Sequence, residues 1–199
     1  MASAWSAIPG ETPIDDLSGL QVAGVTTRAD LNRCEFANIA EAITRYLAAR
    51  PSKRLAPFNL PWCKKLHRDM FGNVWTWAGK LRQSETDLGA PPHLIEPKLH
   101  DLMADLPYWA SRPMVEQAAE LHYRAVCIHP FNNGNGRWSR LLANIWLRQH
   151  KHPLIEWPEP GLGEESSPLR EEYLAAVRQA DAGDLAALIE LHQRFVAAK

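Results

Sequence analysis

The sequence lacks a surplus of charge of either sign. Its 199 residues include 22 Lys and Arg against 23 Asp and Glu, for a formal net charge of -1 at pH 7. A broad basic surface for direct nucleic-acid binding or a polybasic membrane patch is therefore not expected. No apolar run approaches the roughly 18 residues that would indicate a membrane-spanning helix, and residues 1–16 lack the charged and apolar segments of a signal peptide.

Cysteine is also scarce and shows no pairing pattern. The three cysteines, Cys34, Cys63 and Cys127, are odd in number and form no CxxC pair. Neither a disulfide framework nor a cysteine zinc site is indicated, and we expect a reducing cytoplasmic location. Apolar residues make up 46% and charged residues 23% of the chain, which is typical of a globular protein.

Helical periodicity dominates what the sequence does contain. Apolar residues recur every three or four positions from Leu31 to Leu47, and Thr27 with Asp30 forms a candidate capping box before them. Further helices are predicted near 61–70, 97–110, 114–128 and 137–150, from Ser167–Pro168 onward, and at the C-terminus. The stretch between the helices near 61–70 and 97–110 is rich in Gly, Pro and aromatic residues, which predicts turns and one short β-hairpin over about 81–96.

These patterns divide the chain into three predicted parts. Residues 1–26 read as an irregular N-terminal arm, and residues 27–54 as an N-terminal helix that is a candidate regulatory element. Residues 55–199 form the predicted core domain. The fold class is mostly α, with six to eight helices.

One segment, residues 128–140, has the composition of a phosphate site. Gly134, Asn135 and Gly136 stand just before a predicted helix, where backbone N–H groups can turn toward an anion. The helix start adds unpaired N–H groups and a positive dipole end. Arg137 and Arg140 are three residues apart, so both guanidinium groups share one helix face. Alone, each of these features is usually structural.

His129 precedes this cradle at the end of the previous helix. A neutral histidine beside a bound phosphate is suited to act as the general base for an attacking hydroxyl. Seven residues earlier, His122 is expected to face the same way. Phe131, after Pro130, is predicted to anchor the loop on the core.

The segment resembles the signature of the Fic family, H-P-F-x-[D/E]-G-N-G-R-x-x-R. The eight matching positions are His129, Pro130, Phe131, Gly134, Asn135, Gly136, Arg137 and Arg140. Residues 67–82 are similar to the family's approach to its flap, and residues 169–195 to its C-terminal helix pair. The Asn133 variant of the motif, together with the preceding TTRADLNRCEFANI stretch, also resembles the Fic subgroup labelled mobile mystery protein B.

The resemblance implies a Fic-type helical domain with a flap at 81–96, and AMP transfer from ATP to a Ser, Thr or Tyr hydroxyl of a target protein. It implies His129 as the base, and backbone N–H groups of residues 134–136 on the α- and β-phosphates. Arg137 would neutralise the β-phosphate and Arg140 would reach the γ-phosphate. The target would dock on the flap by strand addition.

Asn133 departs from this pattern, because the family carries a carboxylate there that holds Mg²⁺. A neutral amide oxygen binds Mg²⁺ or Mn²⁺ more weakly, directly or through the nucleotide phosphates. Three outcomes stay open: a slower AMP transferase, a transferase using another metal or donor, and a nucleotide-binding protein with little catalysis.

The mode of regulation is also open. Many Fic proteins carry an inhibitory S/T-x-x-x-E-G/N helix, and this string does not occur here. The nearest candidate is Glu35, and we hypothesise that Glu35 or a separate antitoxin chain contacts Arg140. The alternative is that Glu35 is a solvated helix residue.

The sequence therefore predicts a protein adenylyltransferase that uses ATP with Mg²⁺ or Mn²⁺. The alternatives are Fic-type transfer of another phosphate-linked group, or a weakly active or non-catalytic nucleotide-binding module of a toxin–antitoxin-like system.

Overall fold

A computed structural model of the chain describes residues 17–86, 88–158, 162 and 167–198. Most of the predicted N-terminal arm, residues 1–16, lies outside these residues. Seven α-helices have their bounds inside the described part. They are α1 (Arg28–Leu47), α2 (Leu60–Phe71), α3 (Pro92–Asp105), α4 (Met114–Ile128), α5 (Asn135–Gln149), α6 (Pro168–Asp181) and α7 (Ala186–Arg194). The expectation of a mostly α protein with six to eight helices is confirmed.

Local sequence explains where α1 and α2 begin. Thr27 caps α1 through its hydroxyl, which accepts the Asp30 N–H, while the Asp30 carboxylate bonds back to Thr27. The capping box predicted from the sequence is thus present. Asn59 caps α2 by accepting the Trp62 N–H at 3.0 Å, with Pro61 in the first turn.

The core consists of two apolar clusters on either side of the antiparallel helices α4 and α5. The first joins them to α1, α2 and α3, and the second joins them to α6 and α7. Within α5, Trp138 and Leu142 enter the first cluster, whereas Ala143 and Leu147 enter the second. The loop between α4 and α5 is held at both ends, because each of these two helices packs against both apolar clusters.

Two expectations for the middle of the chain need correction. The helix predicted near 97–110 begins at Pro92 and ends at Asp105, followed by a 3-10 turn over Leu106–Trp109. Pro97 lies inside this helix, not at its start.

The β-hairpin expected over 81–96 is also absent from the described residues of that range, which form a loop and the first turns of α3. The loop's described backbone bonds to residues at and just after the end of α4: Arg82 N–H donates to the Pro130 carbonyl at 3.0 Å, and Ala90 N–H to the Ile128 carbonyl at 3.2 Å.

None of the described helices combines the length and apolar character that a membrane span requires.

Candidate active site

The His129 residue ends α4 in a left-handed conformation, with φ 49° and ψ 59°. This backbone conformation costs a non-glycine residue roughly 1–2 kcal/mol. The side chain is 7% exposed. Burial, with a smaller contribution from the Arg82 charge, lowers the pKa of His129 to about 4. The imidazole is therefore neutral at pH 7 and able to accept a proton.

The side chains of Asn135 and Phe131 hold the loop after His129 in place. The Asn135 side chain accepts the Phe131 N–H at 2.9 Å and donates to the Phe131 carbonyl at 2.8 Å. Phe131 is fully buried, stacks on His67 with ring centroids 3.7 Å apart, and packs edge-on against Trp138. The loop therefore leaves α4 and enters α5 along one fixed path.

Gly134 occupies the N-cap of α5 with φ 77°, which favours glycine. A Cβ there would stand 2.5 Å from Phe71 Cζ. An α-helix leaves its first N–H groups without intrahelical partners, and in α5 these belong to Asn135, Gly136 and Arg137. The segment therefore has the backbone of an anion-binding helix start.

The guanidinium of Arg137 forms an ion pair with Glu35, 2.6 Å between Nη1 and Oε2. The second Glu35 oxygen accepts the Trp75 indole N–H at 2.7 Å, and Glu35 is 1% exposed. The alternative that Glu35 is a solvated helix residue is therefore wrong. Its ion pair lies with Arg137, whereas the hypothesis named Arg140.

Arg140 lies one turn further along α5 and is 7% exposed. Its positive charge helps to lower the pKa of His122, whose shift comes mainly from burial. His122 does not share the His129 site as expected: its ring lies in the second cluster, hydrogen-bonded to His192 at 3.2 Å and to Tyr173 at 3.0 Å.

Asn133 does not build a metal site with its neighbours. Its side-chain oxygen accepts the Gly134 N–H, and its backbone carbonyl accepts a hydrogen bond from His67. Within the described ranges, no three His, Cys, Asp or Glu side chains gather closely enough to hold a metal ion. These donors do not fit a resident Mg²⁺.

Two buried residues of the site were missed by the sequence reasoning, and His67 is the first. Its Nδ1 accepts the Gly79 N–H at 3.0 Å, so the proton sits on Nε2, which donates to the Asn133 carbonyl at 3.0 Å. Burial lowers the pKa of His67 to about 3. The neutral ring thus ties the motif loop to the chain before residue 80.

The second missed residue is Arg82, which is 2% exposed and bonds the backbone at His129. Both residues fall inside the stretch 67–82 that was compared with the Fic flap approach. Nothing in their local spacing marks them, because their partners lie 66 and 47 residues away along the chain.

Comparison with known proteins finds a family match that includes this site. Residues 57–147 match the Fic/DOC family. Over 129 residues the chain is 33% identical to protein adenylyltransferase fic-1 of Caenorhabditis briggsae, covering 61% of this chain and 24% of that protein. It is 31% identical over 140 residues to protein adenylyltransferase Fic of Drosophila virilis, covering 67% of this chain and 26% of the relative. The chain spans about a quarter of the length of these relatives.

Solved structures agree with the fold. Fic-1 from C. elegans superposes with a TM-score of 0.68 at 25% identity, over 89% of this chain and 51% of that one. BepC from Bartonella tribocorum, solved with bound AMPPNP, gives a TM-score of 0.67 at 16% identity, over 92% of this chain and 98% of that one. Residues 57–147 thus match the Fic/DOC family, and the fold of the described residues agrees with that of solved Fic proteins.

Proposed function

We propose that this chain transfers the adenylyl group of ATP to a Ser, Thr or Tyr hydroxyl of a target protein. The observation that carries the proposal is the neutral, buried His129 held directly before the N-terminus of α5. The curated relatives named protein adenylyltransferase support the same reaction. Pure nucleotide binding would not need a base at this position.

In the proposed reaction, the target hydroxyl attacks the α-phosphorus while His129 takes up its proton. A bond forms between the hydroxyl oxygen and the α-phosphorus, and the bond from the α-phosphorus to the bridging oxygen breaks, releasing pyrophosphate. Phosphoryl-type transfer depends mainly on positioning and charge neutralisation. The backbone of residues 134–136 would hold the α- and β-phosphates, with Arg137 on the β-phosphate and Arg140 on the γ-phosphate.

Divalent metal would enter with ATP, as Mg²⁺ or Mn²⁺ on the phosphates, and would help to neutralise charge there. The amide of Asn133 would contact this ion weakly. Docking of a target protein beside residues 81–96 and a cytoplasmic location remain predictions, as do an antitoxin partner and the mobile mystery protein B subgroup.

The direct test is incubation of the protein with α-labelled ATP and Mg²⁺ or Mn²⁺, with and without cell lysate. We expect the wild type to label protein. Labelling by His129→Ala should be lower by a factor of about 10² or more, as is usual when a general base is removed. His100→Ala is the matched control, because His100 is exposed on α3. Equal labelling by wild type and His129→Ala would reject the proposed base.

We further propose that Glu35 restrains the reaction. Its ion pair occupies Arg137, so the guanidinium must exchange Glu35 for phosphate when nucleotide binds. Glu35→Gln removes the competing charge while keeping an acceptor for the Trp75 indole N–H. We expect tighter ATP binding and stronger labelling than in the wild type. Glu41→Gln, on the same helix, should leave both unchanged; an equal result for the two variants would contradict inhibition by Glu35.

A further inference from the structure

Arg82 is a buried arginine whose three guanidinium nitrogens all bond to backbone carbonyls. Nε donates to the His129 carbonyl at 2.7 Å, and Nη1 to the Ser84 carbonyl at 2.8 Å. Nη2 donates to the carbonyl of Ala90. One planar group therefore joins the end of α4 to both ends of a loop, which we call the Arg82 loop (residues 82–86 and 88–90).

The backbone adds two bonds on either side of this guanidinium. The N–H groups of Ala90 and Arg82 donate to the carbonyls of Ile128 and Pro130. Three successive carbonyls, at residues 128, 129 and 130, are thus all bonded to the Arg82 loop. The C-terminal carbonyls of a helix lack intrahelical partners and carry negative partial charge, so a guanidinium is well suited to them.

The contact is close as well as polar. Gly89 has φ 100°, and a Cβ on it would stand 2.4 Å from the Cβ of His129 and 2.9 Å from Arg82 Nη2. The Arg82 loop therefore lies directly on the residue that the proposed function uses as its base. A left-handed residue persists only where its surroundings hold it, and here the surroundings are Arg82 and this loop.

We propose that Arg82 is a positioning residue that fixes the His129 backbone and the Arg82 loop in one mutual arrangement, so that a target segment lying along the loop presents its hydroxyl at a set distance from the base. This inference rests on the proposed function for its catalytic consequence. The clamp itself is independent of that function.

The test replaces Arg82 by lysine, which keeps the positive charge but cannot span three carbonyls with a fixed fork. We expect label transfer from α-labelled ATP to fall by about 10²-fold, the loss that a misplacement near 1 Å can cause. ATP affinity should change less than about twofold, because the arginine holds the base and loop and not the phosphate cradle. Backbone NMR signals of His129 and of the Arg82 loop should shift together.

Arg170→Lys is the matched control. Arg170 is also a buried arginine that bonds a backbone carbonyl, that of Leu162, but it belongs to α6 in the second cluster. This variant should keep labelling within about twofold of the wild type, as distant changes do when they leave the site's geometry intact, and should leave the His129 signals in place.

Hydrogen exchange on the wild type supplies a measurement that needs no variant. The amide protons of Arg82 and Ala90 and the Nε proton of Arg82 should be strongly protected. Unprotected exchange at these groups would overturn the proposal, as would a lysine variant whose labelling and His129 signals match the wild type. If the wild type labels no protein, the proposed function fails, whereas the exchange and NMR results still decide whether the clamp exists.

Discussion

At the scale of single residues, the site is built from side chains whose polar atoms are committed within the chain. Glu35 divides its two oxygens between Trp75 and Arg137. The Asn135 amide uses both its oxygen and its nitrogen on the backbone of Phe131. The Asn135 bonds fix the path of the loop before any ligand enters, which lowers the ordering cost of binding. The Glu35–Arg137 pair acts in the opposite direction, because it holds a guanidinium that the proposed function assigns to phosphate.

The residues that could be predicted from sequence are those that stand next to one another in it. The segment 128–140 contains the proposed cradle, the proposed base and the arginine pair in a single run of sequence. The pairing of Glu35 with Arg137 spans 102 residues and depends on how α1 packs, so local patterns give no access to it. The same holds for the bonds of His67 and Arg82.

The first prediction concerns Gly134→Ala. The new Cβ would meet Phe71 Cζ at 2.5 Å in a backbone with φ 77°. We expect the free energy of unfolding, measured in urea, to fall by about 1–3 kcal/mol more than for a strain-only substitution. Gly24→Ala is that substitution, because Gly24 has the same φ with nothing within 4 Å. Equal losses for the two variants would show that the Phe71 contact is not restrictive.

At the scale of elements, the site is a junction of three of them. The ends of α4 and α5 supply the proposed base and the proposed phosphate cradle, and α2 holds the loop between them through the ring of His67. Apolar periodicity sufficed to predict α4 at its observed bounds, 114–128. It gave the wrong bounds for α3, which was predicted near 97–110 and runs from Pro92 to Asp105. The hairpin predicted from the Gly- and Pro-rich stretch is a different error, because Arg82 and Ala90 find their backbone partners at Pro130 and Ile128, at and just after the end of α4.

The second prediction concerns His67→Phe. Phenylalanine keeps a ring against Phe131 but leaves the Gly79 N–H and the Asn133 carbonyl without their buried partner. We expect the free energy of unfolding to fall by about 2–4 kcal/mol, since each unsatisfied buried group costs about 1–3 kcal/mol. His93→Phe, at an exposed position of α3, should stay within about 0.5 kcal/mol of wild type. If His67→Phe lost less than about 0.5 kcal/mol, the His67 hydrogen bonds could not be what holds the loop in place.

At the scale of the whole molecule, buried neutral histidines join the helices around both apolar clusters. In the second cluster, His192 Nδ1 donates to the Leu188 carbonyl at 2.7 Å, so its Nε2 accepts from His122 Nδ1 at 3.2 Å. His122 Nε2 then accepts the Tyr173 hydroxyl at 3.0 Å. This chain of bonds links α4 to α6 and α7. The two bonds in which a ring Nε2 is the acceptor require that ring to be uncharged.

The third prediction is that stability falls with acidification. Burial lowers the pKa of His67 to about 3 and of His129 and His192 to about 4, from 6.5. At pH values between these lowered pKa values and 6.5, the unfolded chain binds more protons than the folded chain. The free energy of unfolding therefore decreases as pH drops below about 6.5, by up to about 1.4 kcal/mol per pH unit for each such histidine.

Urea unfolding measured between pH 7 and pH 4.5 checks this slope. His192→Asn should flatten it, because one buried titrating group is removed, whereas His100→Ala, at an exposed position, should leave it unchanged. A free energy of unfolding that stays constant across this range in the wild type would contradict the neutral state of the buried histidines.

In the reaction that we propose, the adenylyl group, and no other part of ATP, reaches a protein hydroxyl with His129 as base. The most direct measurement incubates the wild type and His129→Ala with α-labelled and γ-labelled ATP side by side and counts label on protein. We expect label from the α position only, and we expect His129→Ala to lose it. Label from the γ position, or α label that persists without His129, would contradict the proposed reaction.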